Sequence, residues 1–280
     1  MKLFVTGGTG FVGSHFVQQA LAAGHVVIAL RRPGSRTRIP LEQQPIWIDG
    51  ALDGDYSENL NGVDVFVHLA SHTPNPPYAP LDECLRWNVV APIQLARQAV
   101  AAGIKQFLIA GSCFEYGQVP VELEFIDTTT PLAPSLSYPT SKAAASIAFE
   151  GFAREHGCKL KLLRIFQVFG EGEQDTRLWP SLRRAALLGK DFPMSAGEQV
   201  RDFIPVEDVS AQFLRHIDFD AVEGGVPKAY HIASGKSQTL LEFVTFWWQK
   251  WGATGQLQPG KMPYRKNELF RLVPRIESIN

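Results

Sequence analysis

The sequence predicts an α/β fold, a doubly wound and mainly parallel sheet with a smaller lobe toward the C-terminus. Three observations carry that expectation. Short apolar runs alternate with amphipathic segments of helical period along most of the 280 residues. A glycine-rich turn joins the first apolar run to the first helical segment. The second run, Val26-Val27-Ile28-Ala29-Leu30, is apolar at every position, as a strand covered on both faces must be.

The elements follow in order. Lys2–Thr6 is the first strand, and Phe11, Val12, Phe16, Ala20 and Leu21 then recur at helical spacing up to Gly24, which suits the position after a helix C-terminus. His25–Leu30, Pro45–Asp49 and Val63–Ala70 are the next strands, with His68 read as a packed strand histidine. Ser71–Pro80 carries four prolines and is a loop crossing the ends of those strands. Leu85–Ala102 is helical, Ile104–Ala110 extended, and a long helix opens at Ser137 and continues through Glu155. Lys159–Phe166 is a strand, Gln167–Asp175 a loop, and Trp179–Leu188 a helix stopped by Gly189. Val200–Val206 is extended, Glu207–Ile217 helical and Tyr230–Ala233 a short strand. Thr239 and Glu242 form a capping box for a helix reaching Trp251, whose Phe243, Phe246, Trp247, Trp248 and Trp251 read as its packing face.

Composition narrows the function classes. The chain is 45% hydrophobic and 20% charged, with a net charge of −1, so no broad field points to nucleic acid or an anionic membrane. No apolar run approaches the ~18 residues of a membrane span, and Gly7 interrupts the N-terminal strand before a signal-peptide core forms. A cytoplasmic protein is expected. Cys84, Cys113 and Cys158 are scattered without metal-ligand spacing, which reads as free buried thiols and no metal site.

The chemistry concentrates at three places. Gly7, Gly10 and Gly13 (or Gly8, Gly10 and Gly13) follow a strand and open a helix, the context in which missing Cβ atoms let a pyrophosphate approach a helix N-terminus. At the end of the second strand, where a carboxylate would bind the adenosine 2′-hydroxyl, stand Arg31 and Arg32, with Arg36 close behind. Forked guanidinium donors suit a 2′-phosphate, so NADP is favoured over NAD, the alternative being arginines that are merely solvated. Third, Tyr138 and Lys142 lie four apart at a helix start, a spacing none of the other five tyrosines repeats. One helix face then holds a phenol beside an ammonium that would lower its pKa.

With those pieces, the chain resembles the extended branch of the short-chain dehydrogenase/reductase family, in its group of NAD(P)-dependent nucleotide-sugar epimerases, dehydratases and 4-ketoreductases. The matching stretches are Thr6 to Gly13, His68-Leu69-Ala70, Asn88, Gly111-Ser112 ahead of Tyr116-Gly117, Tyr138 with Lys142, Arg164 to Gly170, and Arg201 to Val209. The resemblance implies a Rossmann domain over residues 1–170, rejoined by 206–233, and a substrate lobe from 171–205 and 234–280. It implies Tyr138 as general acid/base, Lys142 as its partner and a holder of the nicotinamide ribose, and Ser112 as the hydroxyl on the reacting oxygen. Gly7, Gly10, Phe11, Val12 and Gly13 would hold the cofactor together with Arg31, Arg32, Arg36 and Asp49. Leu69, Ala70 and Ser71, then Ile165, Phe166 and Val168, would complete its site. Thr73, Phe114, Gln167 and Arg201 would meet the nucleotide sugar. A homodimer through helices near 85–102 and 141–155 is also implied, although their small residues suit packing on the chain's own sheet equally well.

Departures from the family pattern sharpen the expectation. Gln167 stands where the family often has Asn, and either Asp49 or Ala51 falls at the adenine position. Cys113 and Phe114, not acids, follow Ser112, so dehydration is not expected; Glu115 occupies a place usually apolar. The chain ends at Asn280 without the family's C-terminal Gly-Trp-x-Pro, which implies a trimmed substrate lobe. The arginines favour an NADPH-dependent reductase of a nucleotide-linked 4-keto-6-deoxy sugar. An epimerase with retained cofactor and a non-catalytic dinucleotide sensor are the alternatives.

Overall fold

A computed structural model describes residues 1–118, 123–266 and 268–276, so Asn267 and 277–280 of the expected lobe lie outside it. The first half-sheet is built from β1 (Lys2–Thr6), α1 (Phe11–Ala22), β2 (Val26–Arg31), β3 (Ile46–Asp49) and β4 (Val65–His68). A helical stretch follows, α2 (Leu81–Leu85), a π turn over Arg86–Val90, and α3 (Ala91–Ala101), so the helix starts earlier than its sequence pattern suggests. Then come β5 (Gln106–Ser112), α4 (Ser137–His156) and β6 (Lys159–Ile165). These strands, joined by β10 described below, form one seven-stranded parallel sheet in the order β10-β6-β5-β4-β1-β2-β3. The crevice of such a sheet lies at its carboxyl edge, where strand order reverses beside β1.

Alternation along each strand loads both faces. Leu3 and Val5 of β1 pack beneath α1 with Phe16, Val17 and Ala20, while Phe4 between them faces the layer holding Leu95, Ala99, Phe149 and Phe152. All these residues are buried. Cys84, Cys113 and Cys158 are free and buried, as expected.

The C-terminal third leaves and rejoins this sheet. β7 (Gln167–Phe169) forms within the stretch expected to be loop and pairs in parallel with β9. After α5 (Leu178–Leu187) and β8 (Phe192–Pro193), β9 (Val200–Pro205) leads into α6 (Val206–Arg215), which packs on the α1 layer through Val209 and Phe213. β10 (Lys228–Ile232) then adds to the parallel sheet beside β6. β11 (Ser237–Thr239), α7 (Leu240–Lys250), β12 (Leu257–Gln258) and β13 (Arg271–Leu272) complete the chain, with β11 and β13 flanking β9. The capping box forms: Thr239 Oγ1 accepts the Glu242 N–H at 3.1 Å, and Glu242 Oε2 accepts the Thr239 N–H at 2.7 Å. Phe243 and Trp248 are buried against α5, as the packing-face reading requires, but Phe246 is 55% exposed. Among the described residues, no helix is long and apolar enough to cross a membrane.

Candidate active site

A cleft of about 760 Å³ opens along the carboxyl edge of the sheet. Its floor at β1 is the glycine turn. A Cβ on Gly7 would lie 2.4 Å from the Ala70 nitrogen, and one on Gly13 would lie 2.0 Å from the Gly7 carbonyl oxygen. Gly7 also has φ +76°, so backbone conformation and close approach both require glycine here. Gly10 caps α1 with no side-chain hydrogen bond and no acidic residue in the first turn. The first-turn N–H groups, which have no intrahelical partner, therefore face the cleft as an anion site. Gly7, Gly10, Phe11, Val12, Gly13, Leu69, Ala70 and Ser71 all line the cleft, so the residues present fit a dinucleotide.

The end of β2 differs in detail from expectation. Arg31 lines the cleft, but its Nε donates to Asp49 Oδ1 at 2.7 Å, and its guanidinium lies 4.8 Å over the Trp47 ring. Parallel pairing puts Arg31 directly opposite Asp49, which explains the contact. Asp49 itself does not line the cleft, contrary to its expected place, whereas Gly50, Ala51 and Leu52 do. Arg32 lines the cleft, whereas Arg36 does not. Arg38 takes that place, because its backbone N–H donates to Ser14 Oγ at 2.9 Å and draws the loop back over α1.

On α4 the tyrosine and lysine converge with the serine at the end of β5. Ser112, Tyr138 and Lys142 are buried and line the same cleft. The Ser71 and Ser112 side chains lie near enough to the Tyr138 hydroxyl to lower its pKa, and the Tyr78 ring stacks on the Tyr138 ring with centroids 5.4 Å apart. Lys142 Nζ donates to the Ala110 carbonyl at 2.6 Å. The expected depression of the phenol's pKa is not found: burial pushes it up, and the two neighbouring serine hydroxyls only partly oppose that. Burial in turn holds the Lys142 ammonium below its ordinary value, against the raising effect of Glu115. Asn88, in the π turn, fixes the neighbouring loop to α4: its Oδ1 accepts the His72 N–H at 2.7 Å and its Nδ2 donates to Ser141 Oγ at 2.9 Å. A π turn at such a place is common near functional sites. His68 is buried and bonded to Thr6 Oγ1 at 2.7 Å, with burial pushing its pKa down to about 3, so it is a neutral packed histidine.

At the far end, Thr73, Phe114 and Gln167 line the cleft, as do Ile165, Phe166 and Val168. Thr73 has φ +45°, a left-handed conformation for a β-branched residue. Arg201 does not line the cleft; its guanidinium is buried, donating to the Val200 and Leu269 carbonyls and pairing with Glu268 at 3.2 Å. The tail returning over β9 supplies the Glu268 and Leu269 partners. Sequence reasoning missed the segment after β7: Glu173, Gln174 and Arg177 line the cleft. Glu173 Oε1 accepts from Arg177 Nε at 3.4 Å, its Oε2 has no partner among the described residues, and burial pushes its carboxyl up to about 7. Asn75 Nδ2 donates to Gln174 Oε1 at 2.7 Å, joining this segment to the proline-rich loop. Glu173 and Arg177, four apart, were the signal available.

Comparison with known proteins agrees with this geometry. The model of the NAD dependent epimerase/dehydratase family matches residues 3–233. A UDP-glucose 4-epimerase from Erwinia amylovora is 26% identical over 277 residues, covering 87% of this chain and 81% of the epimerase. The dTDP-6-deoxy-L-talose 4-dehydrogenase (NAD(+)) of Aggregatibacter actinomycetemcomitans is 25% identical over 249 residues, covering 87% and 88%. The structure of MoeE5 in complex with UDP-glucose and NAD superposes with a TM-score of 0.83 at 25% identity, covering 99% of this chain and 90% of MoeE5. A family match over residues 3–233, a seven-stranded parallel sheet and a glycine turn that admits a dinucleotide lead to one conclusion: this chain belongs to the NAD-dependent epimerase/dehydratase family of nucleotide-sugar enzymes.

Proposed function

We propose that the protein is an NADP(H)-dependent reductase of a nucleotide-linked 4-keto-6-deoxy sugar. The observation that carries the reading is the Tyr138 phenol, sharing a cleft with Ser71, Ser112 and Lys142 and raised in pKa by its burial. Such a phenol is protonated at neutral pH, the state a reduction needs. A nicotinamide held beside these residues would supply the hydride for the C4 carbonyl carbon. As the carbonyl π pair becomes an alkoxide, Tyr138 gives that oxygen its proton while the Ser112 hydroxyl holds it, and the Lys142 ammonium offsets the charge left on the phenolate. The relative named for dehydrogenation at position 4 of a dTDP-6-deoxy sugar supports this chemistry run in reverse.

Arg31, Arg32 and Arg38 support NADP(H). Arg31 and Asp49 are 30% and 52% exposed, so their ion pair holds by at most about 1 kcal/mol and yields readily to a phosphate. Dehydration is disfavoured because Glu115, the one carboxylate after Ser112 in the turn, is fully buried behind the cleft. Residues 171–205 and 234–280 form the substrate lobe in this reading. A homodimer through α3 and α4 belongs to it as well, with Ile147 63% exposed on α4; sedimentation velocity checks that part.

The epimerase-named relatives favour a second reading, UDP-sugar 4-epimerisation with retained cofactor. One experiment separates the two. Incubation with NADPH and dTDP-4-keto-6-deoxyglucose, followed at the reduced-nicotinamide absorbance, shows stoichiometric oxidation for the reductase. Interconversion of UDP-glucose and UDP-galactose with no net change in absorbance shows the epimerase. Tyr138→Phe abolishes either turnover while sparing cofactor binding; undiminished biological activity in that variant would point to a sensor.

A further inference from the structure

Behind the cleft lies a buried charge that the chemistry above does not use. Glu115 and Arg164 are both buried, with side chains 0% and 4% exposed, and pair at 3.0 Å through Arg164 Nε and Glu115 Oε2. The carboxylate is saturated: Oε1 accepts the Ser112 N–H at 2.7 Å, and Oε2 also accepts the Ser146 hydroxyl at 2.8 Å. The arginine is equally occupied, with Nη1 donating to Tyr116 Oη at 2.9 Å and to the Thr128 carbonyl at 2.8 Å. His231 Nδ1 donates to the Arg275 carbonyl at 3.1 Å, which leaves Nε2 to accept the Tyr116 hydroxyl at 2.6 Å. Gly111 makes room for all this, since a Cβ there would stand 2.8 Å from Glu115 Oε1 and 3.0 Å from Arg164 Cγ.

Stability alone explains such a network poorly. Burying an ion pair costs desolvation that apolar residues of the same volume avoid, so its justification is positional order. The position it orders is specific. Tyr138, Lys142 and Ser146 are spaced by four along α4 and fall in one stripe of the helix. Ser112 terminates β5. Glu115 therefore joins the backbone of the serine to the helix stripe that carries the tyrosine.

We propose that Glu115 is a positioning residue, a clamp between the Ser112 amide on β5 and the Ser146 hydroxyl on α4 that sets the spacing of the Ser112 and Tyr138 hydroxyls for hydride-transfer chemistry. The proposal rests on the reading of Ser112 and Tyr138 as the pair acting on one reacting oxygen, which the reductase and epimerase readings share. It assigns the clamp no contact with substrate or cofactor.

The test compares wild type with Ser146→Ala, Glu115→Gln and Glu115→Ala in two assays, NADPH with dTDP-4-keto-6-deoxyglucose and UDP-glucose epimerisation. Ser146→Ala removes the helix end of the clamp and leaves the ion pair intact. It should lower kcat about tenfold, the scale of a sub-ångström misplacement, with KM and the NADPH dissociation constant within about twofold of wild type. Glu115→Gln keeps an oxygen for the Ser112 amide and should retain more kcat than Glu115→Ala; should the alanine variant not fold, Ser146→Ala against Glu115→Gln decides. A kcat within twofold of wild type in both Ser146→Ala and Glu115→Gln, with only the melting temperature lowered, makes Glu115 purely structural and overturns the clamp. A wild type inert in both assays overturns the reading beneath it, a result distinct from insensitive variants of an active enzyme.

Discussion

Glu173 gives the chain a stability that depends on pH, and Glu173→Gln isolates it. The side chain is 8% exposed, and burial raises its carboxyl from an ordinary 4.5 to about 7, although Arg177 and the Gly170 backbone pull the other way. Between those two values the folded chain holds a proton that the unfolded chain has released. Stability therefore falls as pH rises through the window, and the full cost is present above it. At about 1.4 kcal/mol per pH unit, the interval amounts to about 3 kcal/mol. For a chain of this size that is about 6 °C in melting temperature. Glutamine keeps the shape without the charge, so the variant should match wild type near pH 4.5 and melt about 6 °C higher near pH 8. Burial also holds His216 and His231 down at about 4, and both oppose the slope, because the unfolded chain binds their protons as pH falls below the ordinary histidine value. Their effect is common to both proteins and cancels in the difference. Scanning calorimetry of the pair from pH 4.5 to 8 reads the result directly; melting curves that stay parallel to within about 1 °C would show that Glu173 titrates like a solvated carboxylate.

Gly13→Ala sets a Cβ 2.0 Å from the Gly7 carbonyl oxygen, so the turn must shift; an overpacking cost of about 1–3 kcal/mol and weakened NADPH binding should appear together in thermal melts with and without cofactor. Asp49→Asn releases Arg31 from its ion pair and should tighten NADPH several-fold while moving NADH less than about twofold, by isothermal titration; an unchanged ratio of the two constants counts against Arg31 as the 2′-phosphate contact. Thr239→Ala removes the hydroxyl half of the α7 capping box and leaves the Thr239 N–H on Glu242; it should cost about 1 kcal/mol, seen as a drop of about 2 °C in melting temperature with turnover unaltered.

What the sequence made legible tracks how locally each feature is determined. The central strands were readable because burial on both faces leaves continuous apolar runs, and the strand-turn-helix context of Gly7 to Gly13 specifies its own geometry. β7, β8, β12 and β13 were not, since strands of two or three residues carry no period and exist only through partners far along the chain. The same distance misled the reading of Arg201, whose motif matched but whose partners Glu268 and Leu269 lie 67 and 68 residues away. Arg36 and Arg38 differ only in the path of a loop that one hydrogen bond to Ser14 fixes. Glu173 passed as an ordinary loop acid, because its burial comes from the segments folded over it rather than from its neighbours in sequence.

Burial also connects the two features of α4 that spacing alone misjudged. Four residues of separation put Tyr138 and Lys142 on one helical face, but burial of the phenol raises its pKa by more than its neighbours lower it. Here the ammonium is bound to the Ala110 carbonyl and desolvated. The carboxylate of Glu115 behind it raises the pKa of Lys142 and of Tyr138 alike. Burial is the larger influence on both groups, raising the phenol and lowering the ammonium; the Glu115 charge adds to the first and opposes the second. The environment of the Tyr138 and Lys142 pair is therefore set by the buried carboxylate behind the cleft as well as by burial itself.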